Sequence, residues 1–460
     1  MNTAVVWMCL MVWASTAAAG SVEVSEGGLS SLQATGYADA LGKAILFFEG
    51  QRSGKLPPGQ RVTWRGDSAL SDGRLENVDL AGGYYDAGDN VKFVWPMSFS
   101  VALLSMAAVE YGQLISAAGQ LGHLRTAIRW GTDFILRAHT SPTTFYTQVG
   151  DGNSDHQCWM RPEEMDTPRT LYKITSSSPG TEAAADATAA LASASIVFRG
   201  VDANYSAILL AKSRTEHVAG ATGLARYKTD ADAFVCSLMP RSSMLQITTT
   251  PGGLLFTRDT ANIQYAAGSA FLLSLHARTT SAGGGLRCGS TAITSSEINA
   301  FAKSQASSLF FSLLLHLHLH LPRPLPHLLL PLTEQVDYIL GKNPLGISYM
   351  AGYGKKYPTQ VHHRGASIPS VKVLPGKVGC GEGYSAWYSA AGPNPNVHAG
   401  ALVGGPDSGD RFKDVRSDHS HLEPATYINA AFVGAVAPLA GGAAVLQHGR
   451  PSGATASSIL

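Results

Sequence analysis

The chain has 460 residues, 34 basic and 33 acidic side chains, a formal net charge of +1, and 45% apolar against 15% charged residues. Interspersed charge without a basic patch or stripe excludes a nucleic-acid surface, and it gives no reason to dock on anionic lipid. A neutral ligand fits this balance best, and the length suits either two or three average domains or one large barrel.

At the N-terminus, residues 5–14 are apolar and Ala17-Ala18-Ala19-Gly20 supplies the small residues of a cleavage site. This reads as a signal peptide over 1–19, too short to anchor in a membrane, and predicts a secreted, extracellular protein. Outside that leader, Cys158, Cys236, Cys288 and Cys380 remain. They allow three disulfide pairings, and no CxxC spacing points to zinc. Asn204-Tyr205-Ser206 is an N-glycosylation acceptor.

Helical periodicity follows. Residues 98–114 form one apolar segment, and Leu124, Ala127, Ile128, Gly131, Ile135 and Ala138 form an apolar stripe. Residues 182–199 are largely Ala, which predicts a helix packed closely on several sides. Another helical segment spans 425–439. Between these lie long Gly- and Pro-rich stretches at 53–90 and 341–412. Loops of that length inside a compact protein are usually functional. The predicted architecture is all-α, with chemistry on the loops.

Residues 306–335 contain SLFFSLLLHLHLHLPRPLPHLLLPL, a low-complexity insert unlike its surroundings. Its prolines, Arg323 and histidines oppose a membrane span. The histidines lack the fixed spacing and flanking ligands of a metal site. Leu, Phe, Ser and Pro can all be written in pyrimidine-only codons, so the run reads as a retained intron or gene-model error. Residues 449–460 are Ser- and Gly-rich and read as a disordered tail. No metal or cofactor is expected.

Three clusters carry candidate chemistry. In Asp79-Leu80-Ala81-Gly82-Gly83-Tyr84-Tyr85-Asp86-Ala87-Gly88-Asp89-Asn90, two acids three residues apart sit among glycines and tyrosines. Such a pair can hold a water for general-base attack or cap the helix that follows. Glu423 precedes an Ala-rich helical segment, where it can complement the helix dipole or act as a proton donor. His362-His363-Arg364-Gly365 can ligate metal, bind phosphate or hydrogen-bond neutral hydroxyls, but no metal spacing or phosphate cradle accompanies it.

Together these clusters resemble the plant endo-β-1,4-glucanases of glycoside hydrolase family nine. The resemblance runs through Tyr37-Ala38-Asp39-Ala40-Leu41, Trp64-Arg65-Gly66-Asp67-Ser68, His156-Gln157-Cys158-Trp159, Met165-Asp166-Thr167-Pro168-Arg169 and Tyr265, and ends near Leu439. It implies one catalytic domain over 20–448, an (α/α)6 barrel (a six-hairpin toroid), acting as a monomer on β-1,4-glucan of the cell wall. By position, Asp89 is the base that activates water, Asp86 helps hold that water, and Glu423 is the acid. His362 and Arg364 bind sugar hydroxyls, Asp414 and Arg416 support the acid side, and His156, Trp159 and Tyr85 line subsites. Two departures stand out. Residues 306–335 interrupt the pattern, and 212–225 replace several family helices, so the barrel is expected to be incomplete. The alternative implied is a non-catalytic member of the same family.

Overall fold

The structure is a computed structural model that describes residues 26–215, 224–280, 285–303 and 335–441. The leader, the C-terminal tail, residues 306–334 of the insert and residues 216–223 of the departing segment lie outside the described residues. Of the insert, Gln335 alone is described. It is buried, its Oε1 accepts the Leu255 N–H at 3.1 Å and its Nε2 donates to the Gly253 carbonyl at 3.0 Å.

Nine long helices are described: α1 Glu26–Gly50, α2 Val94–Ala117, α3 Leu121–Ala138, α4 Thr181–Phe198, α5 Ala203–Thr215, α6 Leu224–Leu238, α7 Asn262–Thr280, α8 Ser295–Lys303 and α9 Thr426–Ala440. The predicted stripe of α3, from Leu124 to Ala138, is buried throughout. The small side chains of α4 let it lie close to α2, α3 and α5 at once. Every described side chain of α9 except Tyr427, Pro438 and Leu439 is buried, because α1, α2 and α7 all pack on it. α2 is apolar and long enough to cross a membrane by composition alone, but its apolar length is spent on this core.

The helices form a continuous row, α4–α2–α9–α7, backed by α5 on α4, α3 on α2, α1 on α9 and α8 on α7. One apolar core runs through it. Among the described residues no comparable contact joins α7 back to α4, so the row is open there. That matches the side from which the sequence departs from the family pattern.

Short antiparallel strands decorate the loops: β1 Lys92–Phe93, β2 His139–Ser141, β3 Thr144–Val149 and β4 Leu171–Ile174 form one sheet ordered β1-β3-β2, with β4 also on β3. β5 Thr248–Thr249 pairs β6 Leu255–Phe256, and β7 Leu286–Cys288 pairs β8 Thr291–Ile293. Of the three pairings open to the cysteines, the structure has Cys158–Cys380 and Cys236–Cys288. The loops entering α2, α4 and α9 meet at one end of the row, and they carry the candidate chemistry.

Candidate active site

The loop before α2 passes against residues 362–364 at Gly88. A Cβ there would lie 2.2 Å from the His362 carbonyl oxygen, so only glycine allows the approach. The Arg364 N–H donates to the Gly88 carbonyl at 3.0 Å, and the Gly88 N–H donates to Glu423 Oε1 at 3.1 Å. One residue therefore joins the base loop to the acid across 335 positions of sequence.

Neither acid caps the long helix that follows it. Phe93 occupies the cap position of α2 and Ala425 that of α9, and neither helix start receives a side-chain cap. Asp89 is buried with its Oδ2 3.2 Å from His156 Nε2, while the His156 ring is largely exposed. Asp86 offers its main-chain carbonyl to the Thr426 N–H at 2.9 Å, and its Oδ1 is buried with no protein partner. That orphaned oxygen is suited to holding a water. Burial, with Asp89 nearby, pushes Glu423 up to about 7. Burial and then the charges of Asp89 and Glu423 push Asp86 well above the usual carboxylate range. The Tyr427 phenol is also raised, by burial and then by the charges of Asp86, Glu423 and Asp89.

A second set of side chains holds this arrangement. Gln51 Nε2 donates to the Ala87 carbonyl at 2.7 Å, and its Oε1 accepts from His363 Nε2 at 2.7 Å. The other nitrogen of His363 accepts the Ala366 N–H, which fixes that ring's tautomer. Lys92, fully buried, donates to the Gly82 carbonyl at 3.0 Å and pairs with Asp72 at 2.8 Å; Arg169 closes on the same carboxylate at 2.9 Å.

Three residues expected to touch sugar sit behind the site instead. Arg364 is buried; it donates to the carbonyls of Cys158, Gly88 and Asp155, pairs with Asp155 at 3.4 Å, and lies 4.9 Å from the Trp159 ring centre. Its role is to clamp the base loop. Tyr85 is 2% exposed, with its hydroxyl on Ser68 at 2.9 Å. Trp159 is 1% exposed, and its indole donates to Ser367 at 2.8 Å. Rings so enclosed cannot stack on a ligand.

Arg416 is likewise buried. It donates to Asn394 Oδ1 at 2.8 Å and to the carbonyls of Trp387, Tyr388, Ala390 and Gly392. Asp414 accepts from the Thr359 N–H and hydroxyl at 2.7 and 2.8 Å and from the Gln360 N–H at 2.9 Å. Both therefore shape the loops around the acids without reaching into the site. The main-chain carbonyl of Arg416 faces His362 Nδ1 at 2.7 Å. A carbonyl only accepts, so Nδ1 carries the proton and Nε2 is an acceptor. Burial depresses His362 to about 4, so it stays neutral. A sugar hydroxyl would therefore donate to this ring.

Sequence reasoning passed over Asp155, Tyr427 and the aromatic run Tyr384, Trp387 and Tyr388. The run forms a partly exposed wall on Trp159, with Tyr388 4.8 Å and Tyr384 6.2 Å from its ring. Gly383 lies so close to the Trp159 carbonyl that no side chain fits there, and Cys158–Cys380 ties the same two loops together. The recoverable signal was the aromatic string GYSAWY shortly after Cys380. Asp89, Asp155 and His156 each offer a donor atom within 4.8 Å of the others, as a metal site would. Arg364 and the Asn90 N–H already engage Asp155, which offsets its charge.

A family model described as Glycosyl hydrolase family 9 matches residues 37–221 and 211–436. The two stretches overlap over 211–221, where the sequence departs from the pattern. An endoglucanase of Phaseolus vulgaris is 48% identical over 517 aligned positions, covering 94% of this chain and 98% of that protein. Endoglucanase 20 of Oryza sativa subsp. japonica is 48% identical over 505 positions and covers 92% of each chain. Among solved structures, an endoglucanase from the termite Nasutitermes takasagoensis superposes with TM-score 0.71 at 31% identity, over 88% of this chain and 98% of that one.

Proposed function

We propose, since the chain belongs to glycosyl hydrolase family 9, that it is an endo-β-1,4-glucanase cutting internal bonds of cellulose-type glucan by single-step inversion. The observation that carries this reading is the contact of Glu423 Oε1 with the Gly88 N–H, beside Asp89. In this reading Glu423, held protonated by burial toward about 7, protonates the leaving oxygen. Asp89, with Asp86 Oδ1 beside it, deprotonates a water that attacks the opposite face of the sugar. Inversion needs roughly 6.5–9.5 Å between the two carboxyl groups to admit that water. His362 accepts a hydroxyl, and His156 orients Asp89. Action outside the cell as a monomer is part of the same proposal.

The test is release of reducing ends from carboxymethylcellulose by the purified chain, beside Glu423→Gln and Asp89→Asn, with NMR of the first anomer formed. Wild-type activity lost in both variants, with an α-anomer product, supports the proposal; a β-anomer product overturns inversion. The open side of the helix row favours one rival, a glucan-binding member without catalysis. Cellulose retention with no hydrolysis, unchanged in both variants, would select that rival.

A further inference from the structure

Trp95 stands in the first turn of α2, six residues after Asp89, and is 53% exposed. A large aromatic ring this open at the start of a core helix is not explained by packing. Nor is it loose. Its Nε1–H donates to Asp186 Oδ2 on α4 at 2.6 Å, so one edge of the indole is held while the face stays open. Phe99, one turn along, is 39% exposed and continues the same side of α2, followed by Met106 and Val109.

Its position relative to the acids is set by backbone. Strand β1 ends two residues before Trp95, and Lys92 and Phe93 pair with Val149 and Gln148 of β3. From Val149 the chain continues through Asp151 to His156, the partner of Asp89. Trp95 therefore adjoins both the base loop and the segment that presents His156. A β-linked glucose ring offers an apolar C–H face and a polar rim. A fixed indole offers an apolar face with its polar edge already satisfied, which reduces the ordering cost of binding.

We propose that Trp95, braced by Asp186, is a glucan-stacking platform, an additional subsite that takes one β-1,4-linked glucose ring beyond those at the reacting bond. It rests on the glucanase reading and specifies how that site would grip longer chains.

The experiment compares Trp95→Ala, Trp95→Phe and Asp186→Ala with wild type on cello-oligosaccharides from four to six units. For Trp95→Ala the expected result is a kcat/KM on the longest oligomer reduced about tenfold, carried by KM, with little change on the shortest one cleaved. Trp95→Phe should recover most of that loss because the ring face remains, and Asp186→Ala should fall between. Equal losses at every length, or no loss at any, would overturn the platform. Calorimetric titration of cellohexaose into Glu423→Gln protein, with and without Trp95→Ala, reads binding independently of hydrolysis. Trp95-dependent binding, with no hydrolysis of any oligomer by the wild-type chain, would overturn the glucanase reading and leave the platform standing. Binding indifferent to Trp95 would remove it.

Discussion

Replacing Glu423 by Gln should abolish hydrolysis and, at neutral pH, make the protein more stable. Burial raises the folded-state pKa of this acid from 4.5 to about 7. Between those values the folded chain keeps a proton that the unfolded chain has released, so stability falls as pH rises through the window. At about 1.4 kcal/mol per pH unit, the interval amounts to about 3 kcal/mol, present in full above pH 7. Gln carries no charge, keeps nearly the same shape and can still accept from the Gly88 N–H. The variant should therefore match wild type at pH 4 and exceed it by up to about 3 kcal/mol at pH 8, with the gain developing between. The measurement is urea unfolding of both proteins at several pH values, with activity on carboxymethylcellulose alongside. A gain that is the same at pH 4 and pH 8, or absent at both, would refute the claim that burial of the charge sets this pKa.

Asp89→Asn should lower kcat by about 10²–10⁴ with little change in KM, since a base acts on water rather than on bound sugar; steady-state kinetics on cello-oligosaccharides check it. Arg416→Met frees the carbonyls of residues 387–392 from their shared donor. Faster proteolysis between 380 and 392 and a raised KM are expected, with Arg416→Lys intermediate. Lys92→Met leaves buried Asp72 with Arg169 alone and releases the Gly82 carbonyl. Unfolding in urea should show a loss of about 3–5 kcal/mol, the usual cost of breaking a buried pair by removing one partner.

Much of the fold was legible in residue order. The stripe of α3, the Ala-rich close packing of α4 and the buried segment of α9 follow from apolar spacing at 3.6 residues per turn, which acts locally. The clusters around Asp86 and Asp89, His362 and Glu423 also stood out, because acids, histidines and glycines in long loops are unusual enough to notice. Their division of labour was not legible. Arg364, Arg416, Tyr85 and Trp159 have residue types that suit sugar binding, yet each is buried with its polar atoms committed to carbonyls or hydroxyls. Burial is a property of everything packed around a side chain, so nothing in its neighbours along the chain reports it. The proton on His362 Nδ1 was equally hidden, since the carbonyl that fixes it belongs to Arg416, 54 positions away.

By itself, the sequence determined the helical class, the loops that carry the acids, and the family to which those motifs belong. Tertiary structure alone decided which acid is desolvated, which rings are sealed and which stand open, and which cysteines meet. Those outcomes depend on contacts between segments up to 335 positions apart, and the low dielectric that shifts Glu423 exists only once α9 and the Gly88 loop have closed around it.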